Sequence, residues 1–306
     1  MSIDVQNLTK IYGNQKAIDS ISFRAEKGEI LGLLGPNGAG KTTTMKILTC
    51  FMPATSGTAH ICGLEAGKED IEIKKKIGYL PEHNPLYGSM YVKEYLNFVA
   101  RIHKMKKPSS RVSELIELVG LQREYRKTIS SLSKGYKQRV GLAQALIHDP
   151  EVLILDEPIS GLDPNQLIEI RRLITNLKTD KTIVFSSHIL QEVESVSDKI
   201  IILDQGKIVA DDNIHQLSQQ TIQAVSLQIE LLNELSLEVL SEINGVEEVV
   251  KTGTKKYTLK ADSTMDVREE VFDKVVASGN KILGMQLDKK SLESVFKSVT
   301  NEGKTS

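Results

Sequence analysis

Between residues 35 and 43 the chain reads Gly35-Pro36-Asn37-Gly38-Ala39-Gly40-Lys41-Thr42-Thr43. Glycines leave this backbone free to curl, and a lysine and a hydroxyl follow at once. The spacing is G-x-x-x-x-G-K-[ST], that of a loop which cradles nucleotide phosphates. In such a loop, backbone N–H groups and the positive end of the next helix surround an anion. At this spacing Lys41 reaches the β- and γ-phosphates, and the Thr42 hydroxyl is a ligand for Mg²⁺.

Three further groups have residue types suited to the same chemistry. Asp156 and Glu157 end the apolar run Val152-Leu153-Ile154-Leu155. An aspartate there helps hold Mg²⁺ in P-loop NTPases, and a carboxylate beside it can orient or deprotonate the attacking water. His188 ends the run Thr182–Ser187 and could contact a γ-phosphate and sense its loss. Ser133-Lys134-Gly135-Tyr136-Lys137-Gln138 reads as a glycine-containing helix start that offers N–H groups to an anion. One chain already has a phosphate loop. A second anion-binding helix start makes sense if it serves a nucleotide held by another copy.

These residues need elements to position them. Glu29–Leu34, before the loop, is a buried-type strand, and Thr43–Leu48 begins a helix. Upstream, Ile3–Leu8, Ile11–Asn14 and Ile21–Phe23 alternate as strands. Tyr12 lies there before a glycine turn; position alone makes it a half-buried strand tyrosine. Further strands are expected at Thr58–Cys62 and at Ile77–Glu82, the latter ended by Pro81, and residues 70–77 read as a helix. From Val92 to Leu121 apolar residues recur at helical spacing, giving two helices with Pro108 between them. A helix through Ile147, a helix from Asn165 to Leu177 and a hairpin at 199–209 complete this part. Near-continuous apolar strands alternating with helices imply an α/β fold with a sheet buried on both faces.

After about residue 218 the pattern becomes β-α-β-β-α-β, which resembles a ferredoxin-like α+β sandwich, followed by a last helix at Leu292–Val299 and a polar tail, 301–306. This segment carries 11 Lys+Arg against 14 Asp+Glu, an acidic balance that argues against a DNA-binding appendage. Over all 306 residues the formal net charge is -1, so nothing points to nucleic acid as a partner. The chain is 40% hydrophobic and 26% charged, as for a globular protein with a full core. No apolar run approaches the ~18 residues that cross a bilayer, and Met1-Ser2-Ile3-Asp4 does not open a signal peptide. Cys50 and Cys62 lack metal spacing and read as reduced cytosolic thiols.

Taken together, the P-loop at 35–43, Leu132–Gln138, the strand 152–156 with Glu157, the loop Ser160-Gly161-Leu162-Asp163 and His188 resemble, in order and spacing, the ATPase subunits of the ATP-binding-cassette (ABC) family. The resemblance covers residues 1–217. It implies a RecA-like P-loop NTPase core with a helical subdomain at about 84–149, and an accessory domain at 218–300. It also implies ATP and Mg²⁺ as cofactors, with ATP sandwiched between the P-loop of one copy and Ser133, Gly135 and Gln138 of a second. Asp163 joins that set from the loop at 160–163, Tyr12 becomes an adenine-stacking residue, Asp156 and Thr42 the metal-binding residues, and Glu157 and His188 the catalytic pair. Two departures stand out. The signature reads Ser-Lys-Gly-Tyr-Lys-Gln where the family has Ser-Gly-Gly-Gln, and Glu82 takes the place of the usual Q-loop glutamine, where its carboxylate could still approach Mg²⁺.

Both departures resemble the branch of single-cassette subunits that serve ABC-2-type exporters of drugs and sodium. The run Ile77–Tyr87 is more narrowly similar to gliding-motility-associated ATP-binding subunits. The expected function is therefore ATP hydrolysis that powers a membrane exporter. The expected partners are a separate multi-span permease, docking near residues 81–91, and a second copy of the chain. The expected location is cytoplasmic, peripheral on the inner membrane. The competing expectation is a soluble ABC ATPase acting on ribosomes or nucleic acid; such chains usually carry two cassettes or a long coiled coil, and neither is seen.

Overall fold

The computed structural model describes residues 1–213, 225–261 and 266–289. The chain forms two compact units, Met1–Ile214 and His215–Ser306. The boundary expected at 217/218, the helix expected at 292–299 and the tail 301–306 lie outside the described residues.

In the first unit an antiparallel sheet combines β1 (Ile3–Tyr12), β2 (Gln15–Ala25), β4 (Ser56–Ile61) and β5 (Leu64–Glu65) in the order β2-β1-β4-β5. The main sheet has the order β10-β9-β3-β8-β7-β6. Its strands are β3 (Ile30–Leu34), β6 (Ile77–Leu80), β7 (Val152–Leu155), β8 (Thr182–Ser187), β9 (Lys199–Asp204) and β10 (Lys207–Asn213). All neighbours from β9 to β6 are parallel, and β10 joins by an antiparallel hairpin. Every residue of β3, β7 and β8 is buried, as a parallel sheet covered on both faces requires. The separate antiparallel sheet was not foreseen: its strands alternate, and alternation does not say which sheet a strand joins.

Helix α1 (Lys41–Leu48) follows the P-loop, and Met45, Ile47 and Leu48 join a core built from both sheets. That core also holds Ile73 of α2 (Asp70–Lys76). The helices between residues 92 and 146 are α3 (Val92–Ile102), α4 (Pro108–Leu118), a short 3₁₀ turn at Ile129–Ser131 and α5 (Lys134–Leu146). Pro108 does not sit between two helices but opens the second, where its missing N–H costs nothing and its fixed φ suits the first turn. Helix α6 (Pro164–Leu177) crosses from β7 to β8, and the short α7 (Leu190–Glu194) leads to β9.

In the second unit the described strands are β11 (Val225–Leu231), β12 (Val246–Lys251), β13 (Lys256–Ala261) and β14 (Ile282–Lys289), ordered β12-β13-β11-β14 and all antiparallel. Helices Leu237–Ser241 and Arg268–Ala277 alternate with them. Leu227, Ile229, Leu231, Tyr257 and Leu259 on alternate strand positions pack with Leu240, Val271 and Val275 of the helices. The arrangement is ferredoxin-like, with its own core.

Candidate functional site

Strand β3 runs into Gly35 with no slack. A Cβ at Gly35 would overlap the Leu203 carbonyl of β9, and one at Gly40 would lie 2.6 Å from the Ala17 carbonyl of β2. Gly40 also has φ +107, in the left-handed region, and is the residue that turns the loop into α1. The loop is thus clamped between the two sheets and lines a cleft of about 600 Å³. Asn37, Gly38, Ala39, Gly40, Lys41, Thr42 and Thr43 line that cleft, together with Tyr12, Glu82, Glu157 and His188. Gly35 and Pro36 sit behind them and hold the lysine: Lys41 Nζ donates to Gly35 O at 2.7 Å and to Pro36 O at 3.2 Å.

The edge at the carboxyl ends of β7 and β8 supplies the acidic wall. Thr42 Oγ1 donates to Asp156 Oδ1 at 3.2 Å, and Ser186 Oγ donates to the same oxygen at 2.6 Å. The Ser186 hydroxyl in turn accepts from Glu157 N–H at 3.0 Å. Glu157 has φ +51, a left-handed conformation uncommon for a residue with a Cβ, and only 8% of it is exposed. That turn brings its carboxylate back over the P-loop, where Lys41 Nζ lies 3.8 Å from Oε1. His188 Nδ1 lies 3.1 and 3.0 Å from the two carboxylate oxygens. Burial pushes the Glu157 carboxyl up from the ordinary glutamate range and the Lys41 ammonium down, while the Lys41–Glu157 attraction opposes both shifts.

Thr42, Asp156 and, from the cleft rim, Glu82 offer hard oxygen donors of the kind Mg²⁺ takes alongside phosphate and water, so the donor chemistry fits that ion. Tyr12, an exposed residue, also lines the cleft, its hydroxyl 2.9 Å from Met52 Sδ. The remaining candidates are not in this cleft. Ser133 caps α5, accepting from Tyr136 N–H at 3.5 Å, and Gly135 and Gln138 are buried in that helix. Asp163 caps α6, accepting from Asn165 N–H at 3.1 Å and Gln166 N–H at 3.0 Å. Sequence reasoning did not single out Ser186, which joins Asp156 to Glu157, or Gln15 and Ala17, which line the cleft; Ser160, from the loop at 160–163, lines it too. The polar end of an otherwise apolar strand was the available signal for Ser186. Gln15 is the hairpin partner of Tyr12.

The fold and this cleft are those of a P-loop nucleotide hydrolase, and the chain belongs to the ATP-binding subunits of the ABC transporter family. Residues 18–160 match the family described as "ABC transporter". The chain is 33% identical to the linearmycin resistance ATP-binding protein LnrL of Bacillus subtilis, over 97% of this chain and 98% of that protein. It is 40% identical to the bacitracin transport ATP-binding protein BcrA of Bacillus licheniformis, over 74% of each chain. Among solved structures, an ATP-binding subunit of an ABC transporter matches with a TM-score of 0.66 and 28% identity, over 72% of this chain and 93% of that one. The chain is accordingly an ATP-hydrolysing cassette.

Proposed function

We propose that this chain is the ATPase subunit of an ABC-2-type membrane exporter. The observation that carries the reading is the convergence of Lys41, Glu157 and His188 on one cleft, with Thr42 and Asp156 in contact beside them. Tyr12 stacks on adenine, and the loop from Gly35 to Thr43 binds the phosphates. Thr42 and Asp156 would hold Mg²⁺, with Glu82 at the rim, and the bound ion would supply neutralisation of the phosphate charge. Glu157 accepts the proton of the attacking water as its oxygen bonds to the γ-phosphorus. The bond to the bridging oxygen breaks, leaving ADP and inorganic phosphate. A base raised from the usual carboxylate range by burial is better matched to that proton transfer at neutral pH. Lys41 and His188 orient the carboxylate and meet the phosphate charge.

Ser133, Gly135, Gln138 and Asp163 lie apart from this cleft, which supports a composite site: the signature segment of a second copy closes over the nucleotide. No helix among the described residues is long and apolar enough to cross a membrane. The relatives are named as ATP-binding proteins of resistance and transport. A separate multi-span permease is therefore the proposed partner, with the chain held at the cytoplasmic face of the inner membrane through it. The run Ile77–Tyr87 supports an exporter linked to gliding motility.

The test is co-purification. Tagged protein isolated from gently solubilised membranes should bring down a multi-span protein and hydrolyse ATP. Glu157→Gln should run as a dimer when ATP is added. Recovery with ribosomes or nucleic acid would replace the exporter reading with the soluble one. Loss of surface spreading on deletion of the gene would support the motility link, and normal spreading would remove it.

A further inference from the structure

Glu192 is a buried carboxylate to which the hydrolysis described above gives no task. It lies in the short α7 and is 4% exposed, and among the described residues no lysine, arginine or histidine pairs with it. A charge taken from water without a counter-charge is costly unless hydrogen bonds hold it. The side chain that bonds to it is Ser187, the last residue of β8, which is fully buried. Ser187 Oγ donates to Glu192 Oε2 at 2.5 Å and accepts from Ile189 N–H at 3.1 Å. A hydroxyl has one proton. With that proton given to Glu192, the oxygen can only accept from the backbone, so the carboxylate sets which way the hydroxyl points.

His188 lies between the two ends of this bond. β8 ends at Ser187 and α7 begins at Leu190, so only His188 and Ile189 join them. The bond from Ile189 N–H to Ser187 Oγ closes that connector across His188, whose Nδ1 meets the Glu157 carboxylate on the far side. The helix that carries Glu192 is itself anchored to β3. Beyond α7, Asp198 N–H donates to Ile30 O and Asp198 Oδ2 accepts from Ile30 N–H, each at 2.9 Å. Within α7, Val193 Cγ1 is seated where a Cβ on Gly32 would come within 2.2 Å of it.

We infer that Glu192 is a positioning residue for His188 and acts through the Ser187 hydroxyl. This rests on the catalytic reading of Glu157 and His188 above. Without an acceptor at position 192 the hydroxyl is no longer held as an acceptor toward Ile189 N–H. The connector then shifts, and His188 moves off the Glu157 carboxylate. A misplacement of about 1 Å in a supporting group can cost on the order of 10² in rate. The loss falls on kcat, because Lys41 and the P-loop, which bind the phosphates, take no part in this chain of bonds.

The experiment measures phosphate release against ATP concentration on the full chain. The variants are Glu192→Leu, Glu192→Gln, His188→Ala, and Glu192→Leu combined with His188→Ala. Leucine fills much the same space without an acceptor, and the glutamine carboxamide keeps one. Glu192→Leu is expected to lose on the order of 10² in kcat with KM for ATP within about twofold of wild type. Glu192→Gln is expected to hold kcat within about fivefold of wild type, since its oxygen still takes the Ser187 proton. In the His188→Ala background, Glu192→Leu is expected to lower kcat by less than about threefold more, because groups that act as one unit are not additive. A Glu192→Leu variant that keeps wild-type kcat overturns the inference. So does a Glu192→Gln variant as slow as Glu192→Leu, which would make the charge and not the bond to Ser187 the working part. So does a Glu192→Leu loss that is undiminished without His188. Melting curves are taken for every variant. If Glu192→Leu does not fold, Ser187→Ala in the neutral Glu192→Gln background removes the same bond from its other side and is held to the same expectations. If His188→Ala keeps turnover within about fivefold of wild type, the catalytic reading of His188 itself fails; if it falls further and Glu192→Leu does not, only the positioning role fails.

Discussion

His188 Nδ1 faces both oxygens of the Glu157 carboxylate, at 3.1 and 3.0 Å. An ionised carboxylate only accepts, so Nδ1 carries the proton and donates. This fixes the ring with Nε2 as its other polar atom. Replacing His188 by Ala removes the donor and frees the carboxylate to swing. Turnover is expected to fall on the order of 10²–10³, the usual cost of losing one positioned donor. Steady-state phosphate release measures it, and a fall of less than fivefold would make the contact incidental.

Glu157→Gln keeps the shape of the side chain and removes the proposed base. Loss of a positioned general base costs roughly 10²–10⁴ in rate. Single-turnover hydrolysis should drop by that range while ATP binding, read from nucleotide fluorescence, stays within a few fold. An unchanged rate would move the proton acceptor elsewhere.

The burial of Glu157 also has a sign that stability measurements can read. Its folded carboxyl titrates above the ordinary glutamate range. The folded state therefore binds more protons than the unfolded state between the two values, and stability falls as pH rises through that window. Above it the full cost of the buried charge is present. At pH 7.5 Glu157→Gln should melt no lower than wild type, with the difference shrinking as pH falls toward about 4, where the unfolded glutamate is protonated. The same shift moves the acid limb of kcat/KM above the pH at which an exposed glutamate would place it. A Glu157→Gln variant that melts several degrees lower at pH 7.5 would contradict this.

Ser186 is fully buried and its hydroxyl spans the two carboxylate residues, donating to Asp156 and accepting from the Glu157 N–H. Ser186→Ala orphans that buried N–H, at a cost of about 1–3 kcal/mol. For a unit of this size each kcal/mol lowers the melting temperature by roughly 2–4 °C. Turnover should fall more than stability requires, because Glu157 depends on this bond to hold its left-handed turn. Ser186→Thr, which keeps the hydroxyl, should retain more activity than Ser186→Ala.

Much of this was legible in the residues. The P-loop, the carboxylates at the end of Val152–Leu155 and His188 after Thr182–Ser187 carry distinctive types at strand ends, and strand ends share an edge in a parallel sheet. The β-α-β-β-α-β order of the second unit could be read from alternation and helical spacing alone. What the sequence did not show depends on distance in space. Nothing local marks Ser186 as the link between Asp156 and Glu157. The left-handed turn at Glu157 is likewise invisible, since glutamate is not a residue that announces positive φ. Tyr12 is an intermediate case: its position gave a strand tyrosine, and only the hairpin geometry puts its ring on the cleft.

That geometry makes a prediction about where Tyr12 acts. Tyr12 is 46% exposed where β1 turns into β2, and on the proposed reading it touches only the base, where no bond changes. An interaction made equally in the ground and transition states raises KM when lost and leaves kcat alone. Stacking of a base on an aromatic ring is worth about 1–3 kcal/mol by alanine substitution. Tyr12→Ala should therefore raise KM for ATP roughly 5- to 150-fold at nearly constant kcat, by the same figures. Tyr12→Phe and Tyr12→Trp keep a π-face and should stay within a few fold of wild type, even though Phe loses the hydroxyl beside Met52. A kcat loss in Tyr12→Ala as large as the KM change would show instead that the hairpin helps place the phosphates.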